Sequence, residues 1–270
     1  MEHPVLESVR INTRVGQLAV WHRPGAGTPL LLWPSLFTDH TLYEPLVAAL
    51  DASWSPVLVD GPGFGASDPP LPRVQPDQYA AAAREVLDAL ELGRAGWLGT
   101  SWGGQIGAYL AADHADRIAW ALLANTPVEP ARGASWVPLL ARLLGPTRFY
   151  GGRVAASMLS SSSRARPEVL EQMVGRFVGF ARRPMGRTAA TTLQHFPGVV
   201  DELLRARVPV TVLMGAQDRL YPPESTQAAL ADRPARVLLV EVPGCGHLLP
   251  LEAPQAVADE LERLRERAAE

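Results

Sequence analysis

The chain has 270 residues, of which 47% are hydrophobic and 20% charged, as in an ordinary globular protein with a sizeable core. Its net charge of −3 gives no reason to expect a nucleic acid as a partner, and its single cysteine, Cys245, excludes an internal disulfide and a multi-cysteine metal site. All 25 basic residues are arginine, which excludes chemistry that requires a lysine, such as a Schiff base or a P-loop.

Apolar strands alternate with amphipathic helices through the first part of the sequence. Two strands at 9–15 and 17–22 alternate enough to form an antiparallel hairpin, with Gly16 at its turn. The apolar runs that follow are short, as in the buried strands of a parallel sheet, and segments with helical spacing separate them. These strands are predicted at 30–33, 56–60, 95–100 and 118–123, and the helices at 41–50, 77–92 and 101–113.

The alternation stops between residues 127 and 205 and then resumes. Helices are predicted in this segment at 137–144, 168–180 and 188–193, and the serine tract at 160–163 is predicted to be a loop. We expect a helical insertion in a core that is formed by residues 1–126 and 206–270. Arginine outnumbers glutamate in the insertion, which favours either an anionic substrate or a solvated basic face.

After the insertion, two more buried strands are predicted at 210–214 and 236–242, and an amphipathic helix at 254–267 closes the chain. Each of these strands leads into a short loop. The whole pattern predicts an α/β fold with a mainly parallel, eight-stranded sheet and helices on both faces.

The most informative stretch is the Gly-x-Ser-x-Gly sequence at 99–103, where a strand passes into a helix. Glycines on both sides of Ser101 allow the strand and the helix to approach closely in a sharp turn, which exposes the serine side chain at the top of the sheet. The turn also places Ser101 at a helix N-terminus, where free N–H groups favour developing negative charge.

Asp218 and His247 each follow one of the last two predicted strands. The carboxyl ends of parallel strands share one edge of a sheet, so we expect both side chains to lie near Ser101. A serine hydroxyl requires a base such as histidine to act as a nucleophile, and the histidine requires a third group that fixes its tautomer. The order Ser, Asp, His is typical of a chain with a nucleophile elbow, and Glu129 is the alternative acid.

With these motifs, the chain resembles the α/β-hydrolase family over nearly its whole length. The resemblance includes the turn at 60–67, Asp-Gly-Pro-Gly-Phe-Gly-Ala-Ser, the acid loop at 215–218 and the histidine loop at 243–247. It implies that the serine, aspartate and histidine identified above form a catalytic triad. It also implies that the insertion is a helical cap over the active site and that neither a metal nor an organic cofactor is required.

The resemblance further implies an oxyanion hole built from two backbone N–H groups. One belongs to the residue after the nucleophile, Trp102, and the other to the loop after the third strand. The family usually has His-Gly in that loop, whereas this chain has Trp33 and Pro34, and a proline has no N–H to donate. We therefore assign the second donor to Ser35, with Leu36 as the neighbouring candidate. The side chains of the two tryptophans are predicted to line an apolar pocket.

These assignments predict a carboxylic ester hydrolase that acts on an ester or lactone of a small hydrophobic substrate through an acyl-enzyme. A carbon–carbon bond hydrolase and an acyltransferase are alternatives that use the same triad. A hydrolase-like ligand-binding protein is the alternative from a different class. Serine at position 101 disfavours haloalkane dehalogenases and epoxide hydrolases, which a nucleophilic aspartate would indicate.

The N-terminal residues lack the basic and apolar segments of a signal peptide, and no apolar run is long enough to cross a membrane. We therefore expect a cytoplasmic protein whose partner is a small-molecule substrate, with no nucleic acid and no membrane involved. The sequence leaves a homodimer open.

Overall fold

In the computed structural model, which describes residues 6–72, 74–130 and 137–270, one mixed sheet forms the centre of the molecule. Its strands are β1 (Glu7–Thr13), β2 (Gly16–His22), β3 (Thr28–Trp33), β4 (Trp54–Val59), β5 (Ala95–Thr100), β6 (Ile118–Ala124), β7 (Val210–Gly215) and β8 (Val237–Val242). Their order across the sheet is β1-β2-β4-β3-β5-β6-β7-β8. β2 pairs antiparallel with β1 and β4, and the remaining neighbours are parallel. The predicted fold class is therefore confirmed.

Helices cover both faces of this sheet. Those of the core are α1 (Glu44–Ala49), α2 (Pro76–Ala89), α3 (Trp102–Asp113), α10 (Pro223–Ala229), α11 (Leu249–Glu252) and α12 (Pro254–Arg267). α1, α11 and α12 pack against one another on one side, whereas α3 packs against α2, β5 and β6 on the other. Every residue of β4, β5 and β7 is buried as a result, which explains why these strands are almost continuously apolar. None of the described helices combines the length and the apolarity that crossing a lipid bilayer requires.

The described residues between 127 and 205 form helices and no strand. The helices are α4 (Val137–Leu144), α5 (Arg148–Met158), α6 (Ser161–Arg164), α7 (Pro167–Val178), α8 (Arg182–His195) and α9 (Val200–Leu204). α4 packs against α8, and α5 packs against α7. We propose that this set of helices is the cap predicted from the sequence.

The serine tract differs from its prediction as a loop, because it starts the short helix α6. The hydroxyl oxygen of Ser160 accepts a hydrogen bond from the backbone N–H of Ser163, at 3.2 Å. Serine is one of the residues that best cap a helix N-terminus, so the same side chains that favour a loop also favour a helix start. Only the local geometry decides between the two.

Candidate active site

Ser101 lies in the turn between β5 and α3 with a strained backbone conformation, φ 55° and ψ −110°. A non-glycine residue in this region is sterically costly, and such strain is concentrated at functional sites. The flanking glycines allow the turn to form. A Cβ at Gly99 would lie 2.1 Å from the carbonyl oxygen of Gly103, and a Cβ at Gly103 would lie 2.1 Å from that of Trp33. The sequence therefore folds locally into the predicted elbow, with the serine at the start of α3.

The predicted acid and base are in direct contact at the ends of β7 and β8. Nδ1 of His247 lies 2.7 Å from Oδ2 of Asp218, and both residues are buried. The other carboxylate oxygen, Oδ1, accepts hydrogen bonds from the backbone N–H groups of Leu220 at 2.9 Å and Tyr221 at 3.2 Å. Burial alone raises the pKa of Asp218, but the charge of His247 and the hydrogen bonds to the carboxylate hold this pKa below its ordinary value. Asp218 is thus an ionised partner that can fix the histidine tautomer.

Asn125 is a site residue that the sequence analysis missed. It directly follows β6, and its Nδ2 donates a hydrogen bond to Oδ2 of Asp218 at 2.8 Å. Its φ of 48° is left-handed, a conformation that asparagine tolerates better than most residues, and its backbone N–H donates to the carbonyl of Leu213 in β7. The signal that could have identified it is a polar residue at the carboxyl end of a buried strand.

The predicted oxyanion loop follows β3 and shares a cavity wall with the nucleophile. Ser35, Leu36 and Phe37 line the same cavity as Ser101. Phe37 has a left-handed φ of 64°, and the carbonyl oxygen of Ser35 accepts hydrogen bonds from Thr38. Within the described chain, the buried hydroxyl of Ser35 has no hydrogen-bond partner.

The two tryptophans occupy a different place from the predicted one. The side chains of Trp33 and Trp102 are fully buried beneath the elbow, where their rings meet edge to face with centroids 5.8 Å apart. Tyr79 packs edge to face against both indoles. Neither tryptophan is among the described residues that line the cavity. The backbone N–H of Trp102, the first of α3, has no acceptor within the helix, and its assignment as an oxyanion donor stays a prediction.

A cavity of about 710 Å³ opens above the elbow, and both Ser101 and His247 line it. Most of its wall is apolar and comes from the insertion and from the loop after β7; it includes Leu140, Leu144, Val154, Met158, Leu193 and Leu220. Its charged lining residues in the described chain are Glu129, Arg153 and Arg219. Glu129, the alternative acid, therefore lies in the cavity wall, whereas Asp218 contacts the histidine.

Hydrogen bonds connect the insertion directly to the histidine loop. The backbone N–H of His247 donates to the carbonyl of Met158, at the end of α5, at 2.7 Å. The carboxylate of Glu252 accepts from the N–H of Gly246 at 3.0 Å and from that of Ser160 at 2.9 Å. The position of the predicted base is thus fixed in part by the insertion.

Asp39, His40 and Asp60 form a polar cluster next to the oxyanion loop, and their potential ligand atoms lie within 4.8 Å of one another. Oδ1 of Asp60 accepts from the backbone N–H of His40 and lies 2.8 Å from its Nδ1, and Oδ2 accepts from the N–H of Ala66. The imidazole stacks on Trp21 with ring centroids 3.5 Å apart. Because the Asp60 carboxylate already holds two backbone groups, we assign the cluster a structural role in bracing the loop.

Comparison with known proteins agrees with this fold. A family model described as the α/β hydrolase fold matches residues 28–254, so the chain belongs to that family. The members to which it is similar include a pimeloyl-[acyl-carrier protein] methyl ester esterase of Xanthomonas campestris, which is 30% identical over 88% of this chain and 95% of that protein. A haloalkane dehalogenase of Mycobacterium tuberculosis is 28% identical over 87% of this chain and 86% of that protein.

Among solved structures, the chain is similar to the enol-lactonase from Burkholderia xenovorans LB400, with a TM-score of 0.86 and 25% identity. The match covers 96% of this chain and 100% of that one. The names of these relatives describe hydrolysis of different bonds, and together they support a hydrolase.

Proposed function

We propose that the chain is a serine hydrolase that cleaves a carboxylic ester or a lactone through an acyl-enzyme. The observation that carries this proposal is that Ser101, on its strained elbow, lines the same cavity as His247, which is held by Asp218. Because Nδ1 of the imidazole is engaged by the aspartate, Nε2 is left to act on the serine hydroxyl.

In the proposed reaction, Oγ of Ser101 attacks the carbonyl carbon while Nε2 of His247 takes the hydroxyl proton. The backbone N–H groups of Trp102 and Ser35 stabilise the tetrahedral oxyanion. The imidazolium then protonates the leaving oxygen as the carbon–oxygen bond breaks, and the same base activates a water that releases the acyl group as an acid. Asp218 stays ionised throughout and stabilises the imidazolium.

The relatives and the cavity support the substrate class. The names of an esterase and of an enol-lactonase describe ester and lactone hydrolysis by proteins of this fold. The largely apolar cavity wall suits a small hydrophobic substrate. The chain is also similar to a haloalkane dehalogenase, but a nucleophilic aspartate would indicate that chemistry. The serine at position 101 therefore favours ester hydrolysis over dehalogenation.

The test is labelling with a fluorophosphonate probe together with turnover of short p-nitrophenyl esters. We expect Ser101→Ala and His247→Ala to lose labelling and to lower kcat by about 10⁴-fold or more, as the loss of a triad member does in serine hydrolases. Ser162→Ala, which changes an exposed serine of α6, is the matched control and should label like the wild type.

The same experiment separates the proposal from a ligand-binding protein. A receptor would retain the ester without steady release of product, and Ser101→Ala would not change this retention. Wild-type protein that neither labels nor turns over would overturn the serine mechanism. Added alcohol that diverts the acyl group from water would favour the acyltransferase alternative.

A further inference from the structure

We propose that Arg153 and Arg219 bind a carboxylate at the outer end of the substrate. The preferred substrate is then an ester or lactone that carries a second, anionic acid group on its acyl chain. This inference rests on the proposed function, since it concerns the substrate of the same cavity.

The two arginines approach the cavity from different parts of the molecule. Arg153 belongs to α5 of the proposed cap, and Arg219 directly follows Asp218 in the loop after β7. Both line the cavity and are exposed, whereas the nucleophile and the base that line it are buried. The two arginines are therefore more accessible to solvent than the reacting groups that line the same cavity.

Neither guanidinium has a carboxylate within 4.0 Å among the residues that the structure describes. Other arginines of the cap are paired, such as Arg148 with Glu171 and Arg176 with Glu44. The cavity wall thus presents positive charge whose counter-charge has to come from solvent or from a ligand.

The charges of the described lining residues favour an anion, and the shape of the guanidinium group favours a carboxylate. Glu129 is the only carboxylate among the described lining residues, and it is engaged by an interaction within the protein. Among the described lining residues, arginines therefore outnumber carboxylates two to one, which favours an anionic group on the substrate. The planar donor fork of a guanidinium also matches the two oxygens of a carboxylate.

The apolar part of the cavity wall accounts for the rest of the proposed substrate. Leu144, Val154 and Leu220 line the same cavity as the arginines and Ser101, and their apolar surface suits a methylene chain. A substrate with an ester at one end, a methylene chain and a carboxylate at the other end would match each part of the cavity.

The test compares two esters of one dicarboxylic acid, the monomethyl and the dimethyl ester of suberic acid, by methanol release. They have the same length and differ in one negative charge. We expect kcat/KM to be about tenfold higher for the half-ester, and we expect R153Q or R219Q each to reduce this preference about three- to tenfold, as charged contacts near a surface do. High salt should weaken the preference in the wild type.

R183Q is the matched control, because Arg183 is an exposed cap residue on α8 that is not among the described residues of the cavity wall. It should keep the wild-type preference. The same pair of esters is compared for dicarboxylic acids that are shorter and longer than suberic acid. If Ser101-dependent hydrolysis shows no preference for the half-ester at any of these chain lengths, the inference is wrong and the hydrolase function stands. If neither ester is hydrolysed and no probe labels the serine, the proposed function fails first.

Discussion

Asn125 provides a direct test of the geometry around the acid. Its Nδ2 lies 2.8 Å from Oδ2 of Asp218, the same oxygen that lies 2.7 Å from Nδ1 of His247. Asn125 is 2% exposed and Asp218 is 4% exposed, so solvent has little access to replace a lost donor. Asn125→Ala therefore removes a hydrogen bond from a buried charge, and Asn125→Gly removes the same bond while keeping the left-handed backbone unstrained.

The size of the effect follows from these contacts. A hydrogen bond to a charged group contributes about 1.5–3 kcal/mol. The left-handed φ adds a cost of about 1 kcal/mol for alanine but not for glycine. We expect Asn125→Ala to lower the free energy of unfolding by about 3 kcal/mol, and Asn125→Gly to lower it by less. If most of the hydrogen-bond energy orients the acid and base, kcat/KM falls about ten- to a hundredfold, because 1.36 kcal/mol corresponds to a factor of ten.

The assay is kcat/KM for a p-nitrophenyl ester, alongside urea denaturation as a function of pH. Loss of the Asn125 donor should raise the pKa of Asp218, so the loss of stability on acidification should begin at a higher pH in the variants than in the wild type. Thr126→Val is the neighbouring control, since the buried Thr126 hydroxyl has no partner in the described chain and its removal should cost little. Wild-type kcat/KM in both Asn125 variants, despite lower stability, would show that the residue only supports the fold.

Three further predictions concern the elbow, the acid and the cap. Gly103→Ala places a Cβ 2.1 Å from the carbonyl oxygen of Trp33 and should lower the free energy of unfolding by about 3 kcal/mol in urea denaturation; a loss below about 1 kcal/mol would contradict the close crossing. The folded-state pKa of Asp218 is lowered, so its carboxylate stabilises the fold above its unfolded pKa of about 3.9, and this contribution is lost as the pH falls through the folded pKa. The melting temperature of Asp218→Asn should therefore fall less steeply than that of the wild type below about pH 5, and parallel curves would refute the argument. Glu252→Ala removes the carboxylate that accepts from the N–H groups linking the cap to the histidine loop, and it should lower kcat about tenfold. Glu252→Gln should give a kcat between those of Glu252→Ala and the wild type, because an amide keeps one acceptor oxygen. Unchanged steady-state kinetics in both variants would argue against this link.

The sheet and the three predicted catalytic residues could be identified from the sequence because their signals are local. Buried parallel strands are short, nearly continuous apolar runs, and the residue after such a run lies at the functional edge of the sheet. Asp218 and His247 satisfy this rule, and the glycines around Ser101 indicate the elbow. None of these inferences requires knowledge of which element packs against which.

The residues that the sequence misplaced depend on tertiary contacts. An aromatic side chain next to a site can point into the cavity or into the core, and its identity does not distinguish the two. For Trp102, the neighbouring Gly61 determines that the side chain points into the core, because a Cβ at that glycine would lie 2.5 Å from the indole ring. The turn after β4 thus makes room for the tryptophan inside the core. The place of Asn125 at the end of β6 could be read from the sequence, but its role could not, since that role depends on a carboxylate 93 positions later in the sequence.

The contacts of the insertion bear on how specificity and catalysis are linked. The segment that joins α5 to α6 touches both loops that carry the proposed acid and base. Met158 accepts from the backbone of His247, while the N–H and hydroxyl of Ser161 both donate to the side-chain oxygen of Gln217, the neighbour of Asp218. A displacement of α5 therefore pulls on both loops through hydrogen bonds. α5 also carries Arg153, so a charged group bound there would act on the same helix that contacts the histidine loop. We therefore expect substrate binding at Arg153 to affect the alignment of the proposed acid and base.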